Sequence, residues 1–224
     1  MSALQHLLAR SRAARRDADA GMSITELIIS MAIFSMVIVV FLSAVSTMAK
    51  TTVRSEATSD STSQMRNVFA RFDKEVRYAS EINSPATASG AIYVEYLVPA
   101  SARDGEGMCV QWRYVKADKV LQRRTWTPGD ASSVSDWMTM VTDLRNDLTV
   151  TGEQPFTVHR AGTIGGKVYL HQTLDLFLDA GLANSGDARG SQLDTTFVAL
   201  NSSTASVTNP GTLKVCLTGA VQRP

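Results

Sequence analysis

TELIISMAIFSMVIVVFLSAVSTMA, residues 25–49, carries one charged side chain, Glu26, and it stands at the entrance to an otherwise uncharged run from Leu27 to Ala49. At about 1.5 Å per helical residue that run is long enough to cross a hydrocarbon layer of roughly 30 Å. A carboxylate at its mouth is expensive unless it stays in the interface or meets a cation, so an acid in this position calls for a partner. Upstream lies MSALQHLLARSRAARRDADAG, in which Arg10, Arg12, Arg15 and Arg16 outnumber Asp17 and Asp19. Cationic residues beside a span stay on the cytoplasmic side, so residues 1–21 are expected there and the long C-terminal part is expected to be exported.

A secretory signal has an apolar stretch of about 7–15 residues followed by a small-x-small cleavage site. The run here is longer, and a site such as Ala44-Val45-Ser46 leaves both its length and its leading acid unexplained. A plain single-pass anchor explains the length and the arginines but gives Glu26 no role. Cleavage after Gly21 would supply one. The chain would then begin MSITELIISM, and Met22 would carry a free amine about one helical turn from the Glu26 carboxylate. Such a pair neutralises itself within one chain or between chains packed in parallel, and between chains it fixes the register of a new subunit.

Gly21-Met22-Ser23-Ile24-Thr25-Glu26-Leu27, followed by the apolar run, resembles the class III signal of type IV prepilins and of the pseudopilins of type II secretion systems. The resemblance implies that a membrane-embedded prepilin peptidase cuts between Gly21 and Met22 and methylates the new N-terminus at Met22. It also implies partners: other pilin or pseudopilin subunits, an inner-membrane assembly platform and membrane lipid. Two features depart from the family pattern. Methionine stands where phenylalanine is more frequent, and VIVVFLSAVS at 37–46 lacks the proline that kinks many major pilin helices.

The chain of 224 residues, 44% hydrophobic, has room for one membrane segment and one globular domain. A net charge of +1 gives the whole protein no field that would draw it to nucleic acid. The two cysteines, Cys109 and Cys216, could form a disulfide outside the cytoplasm or remain separate buried thiols, and spacing does not choose between these.

Beyond Ala49 the sequence turns polar, and Met65, Val68, Phe69, Phe72, Val76 and Ala79 recur at helical spacing. Arg66, Asn67, Arg71, Lys74 and Arg77 fall away from that stripe. TSDSTS at 58–63 has low helix propensity and is expected to be a flexible or partly melted joint. The helix should stop near Asn83-Ser84-Pro85. AIYVEYLV (91–98), MCVQWRYVK (108–116) and VLQRRTWT (120–127) then read as adjacent antiparallel strands. DWMTMVTDLRNDL (136–148) is ambiguous between a short helix and a covering segment. Further strands are expected at PFTVHR, KVYLHQTLDLFLDA, TTFVALN and TLKVCLT, with Val168, Leu170, Leu174, Leu176 and Leu178 on one face and a loop at GLANSGDARGSQ.

The expected architecture is α+β: a long N-terminal helix, transmembrane in its first half and amphipathic in its second, packed on a mainly antiparallel β-sheet domain. The segments are 1–21 (leader), 22–49 (span), 50–83 (amphipathic helix) and 84–224 (exported head). This layout, with MRNVFARFDKEVRYA and TTFVALN, resembles the larger minor pseudopilins, especially the J-type component. The role it implies is structural and non-enzymatic: starting or capping a filament.

Signals for chemistry are sparse. His159 and His171 have no Cys or His at metal-ligand spacing, no G-x-S-x-G elbow occurs, and GTIGG at 162–166 lacks the lysine of a phosphate loop. No cofactor is expected. Trp112, Tyr114 and Trp126 with Arg113, Arg123 and Arg124 form either core aromatics with flanking cations or, as an alternative function, a surface for DNA.

Overall fold

The computed structural model describes residues 23–103, 105–181 and 191–216. Its first element is a helix of 54 residues, α1 (Ile24–Arg77), which contains no proline. Among the described residues eleven strands follow: β1 (Glu81–Ile82), β2 (Ala86–Ala88), β3 (Ala91–Val98), β4 (Met108–Val115), β5 (Val120–Trp126), β6 (Met138–Val141), β7 (Phe156–His159), β8 (Gly162–Ile164), β9 (Lys167–Tyr169), β10 (Thr173–Ala180) and β11 (Ser191–Val198). The chain divides into two compact units, residues 1–53 and 54–224.

In the first unit α1 is exposed on every side from Ile24 to Val53. A helix that is apolar all round needs an apolar surrounding, and among the described residues this one is long and apolar enough to cross a membrane. Three of its hydroxyls are satisfied within the helix: Ser35, Ser43 and Thr47 donate to the carbonyls of Met31, Val40 and Ser43 at 2.7–2.9 Å. No water is needed for them, as a hydrocarbon environment demands.

The second unit is an antiparallel β domain built on the C-terminal half of α1. One six-stranded sheet runs β1-β3-β4-β5-β6, with β2 also on β3. β1 and β2 share one edge of β3, paired through Glu81↔Leu97 and Ala86↔Tyr93, with Pro85 just before β2. Proline lacks the amide that a ladder needs and is tolerated at such an edge. A second sheet runs β11-β10-β7, and β8-β9 is a separate hairpin. Its two-residue loop, Gly165-Gly166, has φ values of +57° and +80°, the left-handed pair that a tight type I′ hairpin turn requires.

The core lies where the helix meets both sheets. Met65, Val68, Phe72 and Val76 are buried, and Phe72 is the junction: its ring stacks on Trp112 of β4 at 4.2 Å and on Phe197 of β11 at 5.6 Å. Strand alternation sends Val94, Tyr96, Val110, Trp112 and Leu121 to the helix side, while Leu174, Leu176 and Leu178 of β10 bring the second sheet into the same core.

Several expectations need correction. TSDSTS is not a joint: α1 runs through it because Thr58, Ser61 and Thr62 donate to the carbonyls four residues back, at 2.8–2.9 Å. The polar side chains satisfy themselves without breaking the ladder. The helix ends at Arg77, short of Pro85, because the Ser80 and Asn83 amides are taken by the Leu97 and Glu95 carbonyls of β3. Phe69 is 43% exposed although it belongs to the stripe. Met138–Val141 is an edge strand, β6, and residues 167–180 split into β9 and β10. Val168 and Leu170 therefore stand 70% and 72% exposed, away from the Leu174–Leu178 face. The described residues of TLKVCLT, 212–216, form no strand, and residues 217–218 lie outside the described residues, as do 182–190 of the GLANSGDARGSQ loop.

Candidate functional site

Gly21 and Met22, the expected cleavage and methylation positions, lie outside the described residues, together with the leader. Glu26 is in the first turn of α1. The turn has a local logic that the sequence reading missed. The Ser23 carbonyl accepts from the Leu27 amide at 3.1 Å, which makes Ser23 the cap, and Ser23-Ile24-Thr25-Glu26 is the S-x-x-E spacing of a capping box. A carboxylate at this position also complements the partial positive charge of the helix end. The Ser23 hydroxyl instead bonds the Thr25 hydroxyl at 2.8 Å, and the Glu26 carboxylate makes no hydrogen bond or ion pair among the described residues. It is therefore available to a group from elsewhere.

In the head, α1 is tied to the large sheet by a buried polar chain. Glu75 receives Arg123 Nη2 at 2.6 Å on Oε1 and Nε at 3.2 Å on Oε2. The Tyr96 hydroxyl donates to Glu75 Oε2 at 2.8 Å and accepts from Trp112 Nε1 at 2.8 Å. Burial, and then the Glu75 charge, pushes the Tyr96 hydroxyl well above its ordinary pKa. Each group thus finds a partner inside a low-dielectric interior. The members of this network bond directly to one another and so tie α1 to β3, β4 and β5.

The aromatic and basic residues of β4 and β5 do not form one surface. Trp112 and Tyr114 are core residues, Arg123 is the buried partner of Glu75, and Trp126 is 3% exposed; these rings offer no stacking face. A different aromatic joins the remaining arginines on the opposite side of the sheet: the guanidinium carbons of Arg113 and Arg124 lie 4.0 and 4.3 Å from the centre of the Trp137 ring. Arg113 Nε donates to Gln122 and Arg124 Nε to Gln111, at 2.8 and 2.6 Å. Burial, and then the Arg113 charge, lowers the Arg124 pKa.

Cys109 of β4 and Cys216 are joined in a disulfide, which packs with Trp126, Leu97 and Val134. It fastens a C-terminal coil that already grips the helix exit. Asn83 and Val215 exchange side-chain and backbone hydrogen bonds of 3.0 and 2.9 Å, while the Glu81 carboxylate accepts from the amides of Val207 and Thr208, both at 2.9 Å. His159 Nε2 bonds Asp175 at 2.7 Å, and His171 Nδ1 bonds the Ser202 carbonyl at 2.6 Å. Among the described residues no cluster of His, Cys, Asp or Glu is placed to hold a metal. No family model matches the chain, and no curated protein matches it.

Proposed function

We propose that this chain is a membrane-anchored structural subunit, cut after Gly21, that starts or caps a type IV pilus-like or type II secretion filament. The observation that carries this reading is the order of features at the N-terminus: basic leader, Gly21-Met22, a lone Glu26, and an uncharged run from Leu27 to Ala49. The uncommitted Glu26 carboxylate supports it, because the new Met22 amine, its own or a neighbour's, is the cation such a site lacks.

On this reading the leader faces the cytoplasm and the β domain the outside, in a single-pass arrangement in the cytoplasmic membrane that precedes a surface or periplasmic filament. Apolar helices bundle by side-chain packing. The partners are a prepilin peptidase, other pilin-like subunits, the assembly platform and lipid, and the role is non-enzymatic.

Intact mass and N-terminal sequencing of the protein extracted from the membranes of its own host test the reading. The expected chain begins at Met22, with or without one methyl group. A chain that retains residues 1–21 overturns the proposal and leaves a plain anchor.

A further inference from the structure

We propose that the groove between the C-terminal half of α1 and β5 is a docking site for an extended acidic segment of a partner protein. The groove measures about 1420 Å³, and among its described lining residues cations outnumber carboxylates four to two. The chain as a whole carries only +1, so a lining surplus of two cations is a local feature. Arg123 is committed to Glu75. The side chains of the other cations, Arg71 and Lys74 on α1 and Arg103 after β3, make no hydrogen bond or ion pair among the described residues.

Arg71 and Lys74 are three apart on the helix and so project from one face. The opposing carboxylate, Glu106, is held only by a long 3.5 Å contact with the Thr127 hydroxyl. Carboxylates laid along the groove would supply the counter-charge for Arg71, Lys74 and Arg103.

Nucleic acid fits less well. Sequence-tolerant binding of a single strand stacks successive bases on exposed rings, and among the described lining residues Tyr78, 47% exposed, is the one ring with a free face, Trp126 being 3% exposed. Glu106 would also oppose a continuous row of phosphates. Carboxylates spaced along a peptide match the separated cations.

The test uses the full-length chain in detergent micelles and fluorescence anisotropy of three labelled probes: a short alternating Glu-Gly peptide, its Gln-Gly counterpart, and oligothymidylate of equal charge. The acidic peptide is expected to bind about tenfold more tightly than the neutral one at low salt and to lose that advantage at high salt. Arg71→Gln with Lys74→Gln should remove most of the preference, whereas Arg54→Gln, an exposed cation outside the groove, should not. Equal binding of the two peptides, no binding at all, or an unaffected double variant overturns the proposal. Tighter binding of the oligothymidylate than of the acidic peptide also overturns it, in favour of nucleic acid. The proposal does not rest on the filament reading, which is tested by the N-terminal mass alone.

Discussion

Glu75 of α1 and Arg123 of β5 form a two-pronged ion pair at 2.6 and 3.2 Å, with each side chain 10% exposed. The pair lies where helix and sheet meet, and Tyr96 and Trp112 complete its hydrogen bonding. Removing one member of such a pair leaves a buried charge without compensation, at a cost of about 3–5 kcal/mol. Glu75→Gln should therefore lower the unfolding free energy by about that amount, measured by denaturant titration of the full-length chain in micelles with Trp112 contributing to the emission signal. Glu75→Leu combined with Arg123→Met should cost less than either single change. A double-variant cost equal to the sum of the two single-variant costs would show that the pair is not coupled.

The same network sets an alkaline limit. The Tyr96 pKa is raised well above its usual value, first by burial and then by the Glu75 charge, and Tyr114 is raised by burial. In the unfolded chain these phenols ionise near pH ~10, whereas in the folded chain they keep their protons to higher pH. Their contribution to stability is therefore complete below pH ~10 and is lost as pH rises from there through the folded values, because the unfolded state then binds fewer protons. Thermal midpoints should fall between about pH 9 and 11, and Tyr96→Phe should flatten that slope while lowering stability at neutral pH. A slope unchanged by Tyr96→Phe would assign the alkaline loss to another group.

Cys109 and Cys216 are 107 residues apart in sequence, so their bond restrains a long loop in the unfolded chain. Disulfides of this kind typically contribute about 2–4 kcal/mol. Reduction, or Cys109→Ser, should lower stability by about that amount and release the coil around Val215 before the helix–sheet core melts. Hydrogen exchange should show the Val215 amide, bonded to Asn83, losing protection ahead of the β3–β4 ladder. Simultaneous loss at both places would mean that the coil and the core unfold as one unit.

The parts of the fold legible in the sequence were those where one physical signal was unopposed. Residues 91–98 match β3 residue for residue because alternation, aromatic content and flanking turns agree there. The Met65–Val76 stripe is legible for the same reason. Readings went astray where local propensity and tertiary partners disagreed. Thr58, Ser61 and Thr62 favour leaving a helix, yet their hydroxyls find carbonyls one turn back. Proline places the helix stop near Asn83-Ser84-Pro85, but the edge of β3 captures the backbone earlier, at Ser80. Leu170 and Leu174 share the alternation of a single strand, but residues 170–172 separate β9 from β10.

The candidate sites divide in the same way. Glu26 stands out because a charge in an apolar run is costly whatever surrounds it. The cysteine pairing, the Glu75–Arg123 bond and the placement of Trp137 over Arg113 and Arg124 join residues far apart in sequence. Periodicity and spacing carry no record of such contacts. Trp112 and Trp126 both fall in strands beside arginines, and only the strand phase, set by packing on α1, decides which arginine is buried and which is exposed.

The functional reading makes its sharpest prediction at Glu26. Among the described residues its carboxylate is unbound, and its position in the first turn of α1 allows two roles. As a helix cap its worth is about 0.3–1 kcal/mol, through the end dipole. As the partner of a new Met22 amine it decides whether a subunit enters a filament in register. Glu26→Ala should leave both the mass of the processed chain and the helicity of the extracted protein nearly unchanged, while the amount recovered in sheared filaments falls severalfold. Glu26→Asp should retain part of the yield, since the charge remains and only the reach is shortened. Gly21→Ala should instead leave residues 1–21 attached. Normal filament yield from Glu26→Ala would reduce the carboxylate to a helix cap, and a retained leader in that variant would place Glu26 in peptidase recognition rather than in assembly.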